Sequence, residues 1–120
     1  MKRKVKIMFS DLTHTGENIN ADHFPLGIGF IAAYTLKSLK NDVEVSLHKL
    51  PEELLEKFEQ SKPDFFCFSS YNWNERLSYY IASYAKKINP KIITIFGGPN
   101  FPVRNHEKHQ FLSEKPNIDF

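Results

Sequence analysis

The sequence predicts a single α/β domain wound on both faces of a parallel sheet, and three observations carry that expectation. Short apolar runs alternate with stretches of helical periodicity along the whole chain. Two of the runs, residues 64–69 (DFFCFS) and 91–96 (KIITIF), are apolar almost without interruption, as strands covered on both faces are. The breaks between elements fall on turn chemistry: Asn41-Asp42, Lys62-Pro63, Asn89-Pro90 and Gly97-Gly98-Pro99-Asn100. The 120 residues make one domain, large enough to bury roughly two thirds of the extended-chain surface.

In order, residues 5–9 form a short strand broken by Lys6, followed by a polar loop, 10–20, rich in turn and cap residues. Pro25 opens the first helix, where a proline gives up no needed amide. Leu26, Phe30, Ala33, Leu36 and Leu39, or the neighbouring Ile31 and Tyr34, recur at helical spacing and offer a stripe for the sheet. Gly27 and Gly29 in the first turn cost about 1 kcal/mol each relative to alanine. They are expected where the backbone must approach the sheet or a ligand. Residues 43–48 (VEVSLH) alternate apolar and polar side chains, the pattern of a strand with an open face or an edge position.

Pro51, Glu52 and Glu53 start a second helix with acid at its positive end, and it runs to Ser61. The strand at 64–69 follows, then a polar and aromatic loop, Ser70-Tyr71-Asn72-Trp73. A third helix, 75–88, carries Leu77, Ile81, Tyr84, Ala85 and Ile88 on one face, with Asn74 as its N-cap. The strand at 91–96 ends in the glycine turn, a weaker helix spans 104–114, and Ile118-Asp119-Phe120 reads as the opening of a fifth strand. A domain seldom stops there, so the chain is expected to be the amino-terminal fragment of a longer protein.

Composition excludes several function classes. Sixteen Lys plus Arg against fourteen Asp plus Glu is near balance. The basic start, Met1-Lys2-Arg3-Lys4, is expected to be a solvated lead-in and not a nucleic-acid arm. No apolar run approaches a membrane span, and no signal peptide is visible, so the expected location is cytoplasmic. The single cysteine, Cys67, cannot form an internal disulfide or a cysteine-held metal site and reads as an inert buried thiol.

Ligands of open α/β sheets bind outside the carboxyl ends of the strands, where loops 10–24, 69–74 and 97–102 converge. Here the chain resembles the cobalamin-binding domain found at the amino end of many radical S-adenosylmethionine enzymes. The resemblance rests on PLGIGFIAAYTLK (25–37), KPDFFCFSSYNWN (62–74), INPKIITIFGGPNFP (88–102) and PNIDF (116–120), in order and at the right separations. It implies a flavodoxin-like sheet of strand order 2-1-3-4-5, its fifth strand truncated here. It further implies that Ser69, Ser70, Gly97 and Gly98, with Pro99 completing the turn, line a pocket for the nucleotide tail. Leu26, Gly27, Tyr71, Asn72 and Trp73 would border the corrin. The implied partner is a carboxy-terminal radical domain of the same parent chain, with S-adenosylmethionine and a four-iron, four-sulfur cluster. The implied parent activity is methyl transfer or related carbon-bond formation, and this stretch alone supplies no catalytic residue.

Relatives that ligate cobalt through histidine carry Asp-x-His-x-x-Gly in the first loop. This chain has Asp11-Leu12-Thr13-His14-Thr15-Gly16, the right residues at the wrong spacing, so His14 reads as a surface histidine before it reads as a metal ligand. His23, His48, His106 and His109 carry no special signal. Two alternatives stay open. Thr13-His14-Thr15-Gly16-Glu17-Asn18 is similar to the phosphate loop of flavodoxins, which implies a flavin mononucleotide electron carrier. A ligand-free interaction module would fold equally well, and an open sheet edge could pair two copies of the chain.

Overall fold

The computed structural model describes residues 2–14 and 25–120. Four parallel strands, β1 (Val5–Ser10), β2 (Val43–His48), β3 (Phe65–Ser69) and β4 (Ile93–Gly97), form a sheet of order β2-β1-β3-β4. Helices α1 (Leu26–Leu39), α2 (Pro51–Ser61), α3 (Glu75–Ile88) and α4 (Asn105–Glu114) connect and follow them. Phe9 lies opposite both Leu47 and Cys67, and Cys67 lies opposite Ile95. The alternating β2 is an edge strand, as its pattern predicts. Beyond β4, Phe96 N–H donates to Phe120 O (2.7 Å) and Phe120 N–H to Thr94 O (3.2 Å). The last residues thus begin to pair along β4, where the fifth strand is expected.

The two faces of the sheet are covered unequally. One packs against α2, α3 and α4 through Met8, Leu54, Phe66, Phe68, Ile81 and Phe111. Its aromatic spine runs Phe58–Phe66–Phe68–Phe96 at centroid separations of 5.5, 4.5 and 4.9 Å. Each such fully buried side chain contributes about 1.5–3 kcal/mol of transfer free energy. The other face meets a single described helix, α1, through a small cluster of Phe9, Ile28, Ala32 and Cys67.

Helix α1 corrects the expected stripe. Ile28 and Ala32 are buried, while Leu26, Phe30, Ile31, Tyr34, Leu36 and Leu39 are all exposed and Ala33 faces solvent with them. The helix carries one charge, Lys37, so its periodicity offers several equivalent apolar stripes. Packing selects the stripe that carries Ile28 and Ala32, which meet Phe9 and Cys67 of the sheet. A second correction concerns Asn74, whose side chain makes no capping bond to α3; it is committed elsewhere, as described below.

Two carboxylates tie the chain ends to the sheet. Arg3 grips both oxygens of Asp64 at 3.0 and 2.7 Å, and that bond, helped by the Lys6 amide, holds the carboxyl below its ordinary value against the opposing effect of burial. Burial pushes the Asp119 carboxyl up, but Lys86 Nζ and the Thr94 amide outweigh it and the net shift is downward. Both depressed groups contribute stability that is present above their unfolded value of 3.8 and is lost as pH falls through the lower folded values. Melting temperature should therefore decline on acidification, and the double variant D64N/D119N should decline less steeply. Equal slopes for both proteins would contradict these assignments.

Candidate ligand-binding site

Three strand exits meet at the carboxyl edge. After β1 the chain runs on beside the end of β2, with Asp11 N–H donating to His48 O and Thr13 N–H to Lys49 O, each at 3.0 Å. The exits of β3 and β4 lie backbone against backbone: Ser70 N–H donates to Gly97 O (2.6 Å) and Asn100 N–H to Ser70 O (3.0 Å). Gly98 adopts φ +101°, and a Cβ there would stand 3.0 Å from Ser70 O and 3.1 Å from Ser70 N. Conformation and close approach both require glycine at this position. The turn is braced from α3 and α4, since Asn100 Nδ2 donates to Glu75 and Lys115 Nζ pairs with the same carboxylate at 3.3 Å.

Between α1 and the less covered face of the sheet lies a cavity of about 910 Å³. Its floor is apolar, formed by Ile7, Phe9, Cys67 and Ile95, with Ile28 and Ile31 of α1 as one wall. Its lining extends from Lys2 and Asp42 at the amino ends of the strands to Gly97, Gly98 and Pro99 at the carboxyl edge. Cβ atoms built on Gly27 and Gly97 meet nothing within 4 Å, so both glycines widen the space instead of permitting a tight contact. Burial pushes the Cys67 thiol up to about 12, which keeps this part of the floor uncharged at neutral pH.

Of the residues expected at the site, Gly27, Ser69, Tyr71, Gly97, Gly98 and Pro99 line this cavity together. Ser70 is fully buried beside the turn, and its hydroxyl has no hydrogen-bond partner. Trp73, just over half exposed, stacks on Tyr71 at a centroid separation of 4.4 Å and an interplanar angle of 10°, making a flat aromatic rim. Leu26 and Asn72 are exposed at the same edge. His14 Nε2 donates to Trp73 O at 2.7 Å, so that nitrogen carries the hydrogen in this arrangement. His106 and His109 are exposed on α4, and among the described residues no cluster of three or more potential ligands could hold a metal ion.

Thr15, Gly16, Glu17 and Asn18 of the phosphate-loop resemblance, together with His23, lie outside the described residues. No helix among the described residues is long and apolar enough to cross a membrane. The cavity floor was not anticipated from the sequence. Phe9, Cys67 and Ile95 read as ordinary strand core, and alternation along β1, β3 and β4 could have placed them on one face but not told how that face is covered.

No curated protein matches the chain. A family model described as the B12 binding domain matches residues 13–120, a span that takes in β2 to β4, all four helices and every strand exit at the carboxyl edge except the first residues after β1. With that match covering most of its length, and with a parallel α/β sheet of order β2-β1-β3-β4 consistent with that fold, the chain belongs to the B12-binding domain family.

Proposed function

We propose that this domain holds cobalamin for a radical S-adenosylmethionine domain of the same parent enzyme. The observation that carries the reading is the apolar cavity that reaches the glycine turn. The residues present fit the group: an uncharged floor suits the flat base of the nucleotide tail, and the bare backbone at Gly97, where a Cβ would meet nothing within 4 Å, leaves room for the linker at the carboxyl edge. Ser69 supplies a hydroxyl at that edge, and the rim formed by half-buried Tyr71 and exposed Trp73, with Leu26 and Gly27, would flank the corrin. Bound cobalamin supplies a cobalt centre able to carry a methyl group. The chain's own residues bind the tail, exclude water from it and orient the corrin towards the partner domain. S-adenosylmethionine and the four-iron, four-sulfur cluster would belong to that partner, in a cytoplasmic methyltransferase or carbon-bond-forming enzyme.

The test is a desalting experiment on the purified chain after incubation with hydroxocobalamin or, in parallel, with flavin mononucleotide. Cobalamin absorbance should elute with the protein and flavin absorbance should not; the reverse pattern would replace this reading with that of an electron carrier. His14→Ala should leave the spectrum of the retained cobalamin unchanged, because Nε2 is engaged with the Trp73 carbonyl. A shifted spectrum in that variant would make His14 a cobalt ligand.

A further inference from the structure

We propose that Asn74 is the positioning residue that preorganises the aromatic rim of the cofactor site, an inference that rests on the cobalamin reading above. Its side chain is fully buried and uses its amide on three backbone groups in two segments of the chain. Nδ2 donates to Leu12 O (3.0 Å) in the loop after β1 and to Ser69 O (3.1 Å) at the end of β3. Oδ1 accepts from Tyr71 N–H (2.8 Å). Both amide hydrogens and one acceptor site are thus engaged, and rotating the group by 180° would set donors against the Tyr71 N–H and an oxygen against two carbonyls. The arrangement has one orientation only.

Between Ser69 and Asn74 lies the stacked pair Tyr71–Trp73, so Asn74 closes the turn that carries the rim. It also ties that turn to the first loop, alongside the His14 contact with Trp73 O. The residue touches neither the cavity nor the exposed rim surface, which separates positioning from direct contact. Preorganised contacts bind more tightly because less ordering is left for the ligand to bring about.

Asn74→Asp keeps the acceptor for Tyr71 but turns oxygen towards two carbonyls. The variant should fold, lose much of the near-ultraviolet circular dichroism of the Tyr71–Trp73 pair (Trp73 is the single tryptophan) and bind cobalamin on the order of tenfold more weakly, the equivalent of about one hydrogen bond. Retention of either the aromatic signal or the wild-type affinity overturns the proposal. Should the variant not fold, amide exchange of the wild-type chain decides: Tyr71 N–H should be protected like the amides of β3, and exchange at the rate of an open loop overturns it. Failure of the wild-type chain to retain cobalamin would sink the cofactor reading instead, and the aromatic signal and Tyr71 exchange would still decide whether Asn74 orders the turn.

Discussion

Gly97→Leu is expected to weaken cobalamin binding by roughly ten- to a hundredfold, about 1–3 kcal/mol for methylenes forced into space a ligand must fill, with little change in melting temperature. Gly97 ends β4 on the side that Ile95 shares, both lining the cavity, whereas Thr94 and Phe96 are buried, with Phe96 in the opposite core. A Cβ at position 97 meets no protein atom within 4 Å, so a leucine there would enter the slot without straining the fold. Equilibrium titration of the variant against the wild type, beside thermal melts of both, checks this. Unchanged affinity would remove the glycine turn from the site.

Gly98→Ala has the opposite signature. At φ +101° any side chain is strained, and the new Cβ would press on the backbone of Ser70 at 3.0–3.1 Å. The neighbouring atoms belong to a hydrogen-bonded main chain and have little freedom to retreat. A loss of about 1–3 kcal/mol in stability is expected, seen as a drop of several degrees in melting temperature, with cobalamin affinity falling as the turn shifts. A variant that melts like the wild type would contradict the close approach of the two strand exits. The adjacent glycines therefore do different jobs: Gly98 lets two loops touch, and Gly97 leaves a slot beside them.

That distinction was only half legible in the sequence. Gly-Gly-Pro after an apolar strand announces a tight turn, but which glycine bends the chain and which opens space depends on the neighbouring strand. Most strand and helix limits were legible because they rest on local chemistry, although β4 starts at Ile93, two residues later than expected. Pro51 begins α2, and α3 spans the predicted residues 75–88, while β2 betrays its edge position by alternation. The face of α1 was not, since a helix with Leu26, Phe30, Ile31, Tyr34, Leu36 and Leu39 around its circumference gives periodicity nothing to choose between. Asn74 matched a local rule, the N-cap preference, yet its side chain answers to Leu12 and Ser69. The oxygen a cap would use is taken by the Tyr71 amide, three residues back. Cys67 and Ile95 look the same in sequence whether a helix or a ligand covers them, which is why the cavity emerges only once the strands are assembled.

The central claim is that the slot between α1 and the sheet takes the nucleotide tail, and it is tested most directly by comparing cobalamin with cobinamide, the corrin that lacks this tail. Dissociation constants for both can be read from quenching of Trp73 fluorescence. Cobalamin should be retained and cobinamide should bind at least about tenfold more weakly, the difference of roughly 1.4 kcal/mol or more that burying the tail base supplies. Equal affinity for the two corrins, or retention of neither by the folded chain, would contradict the account.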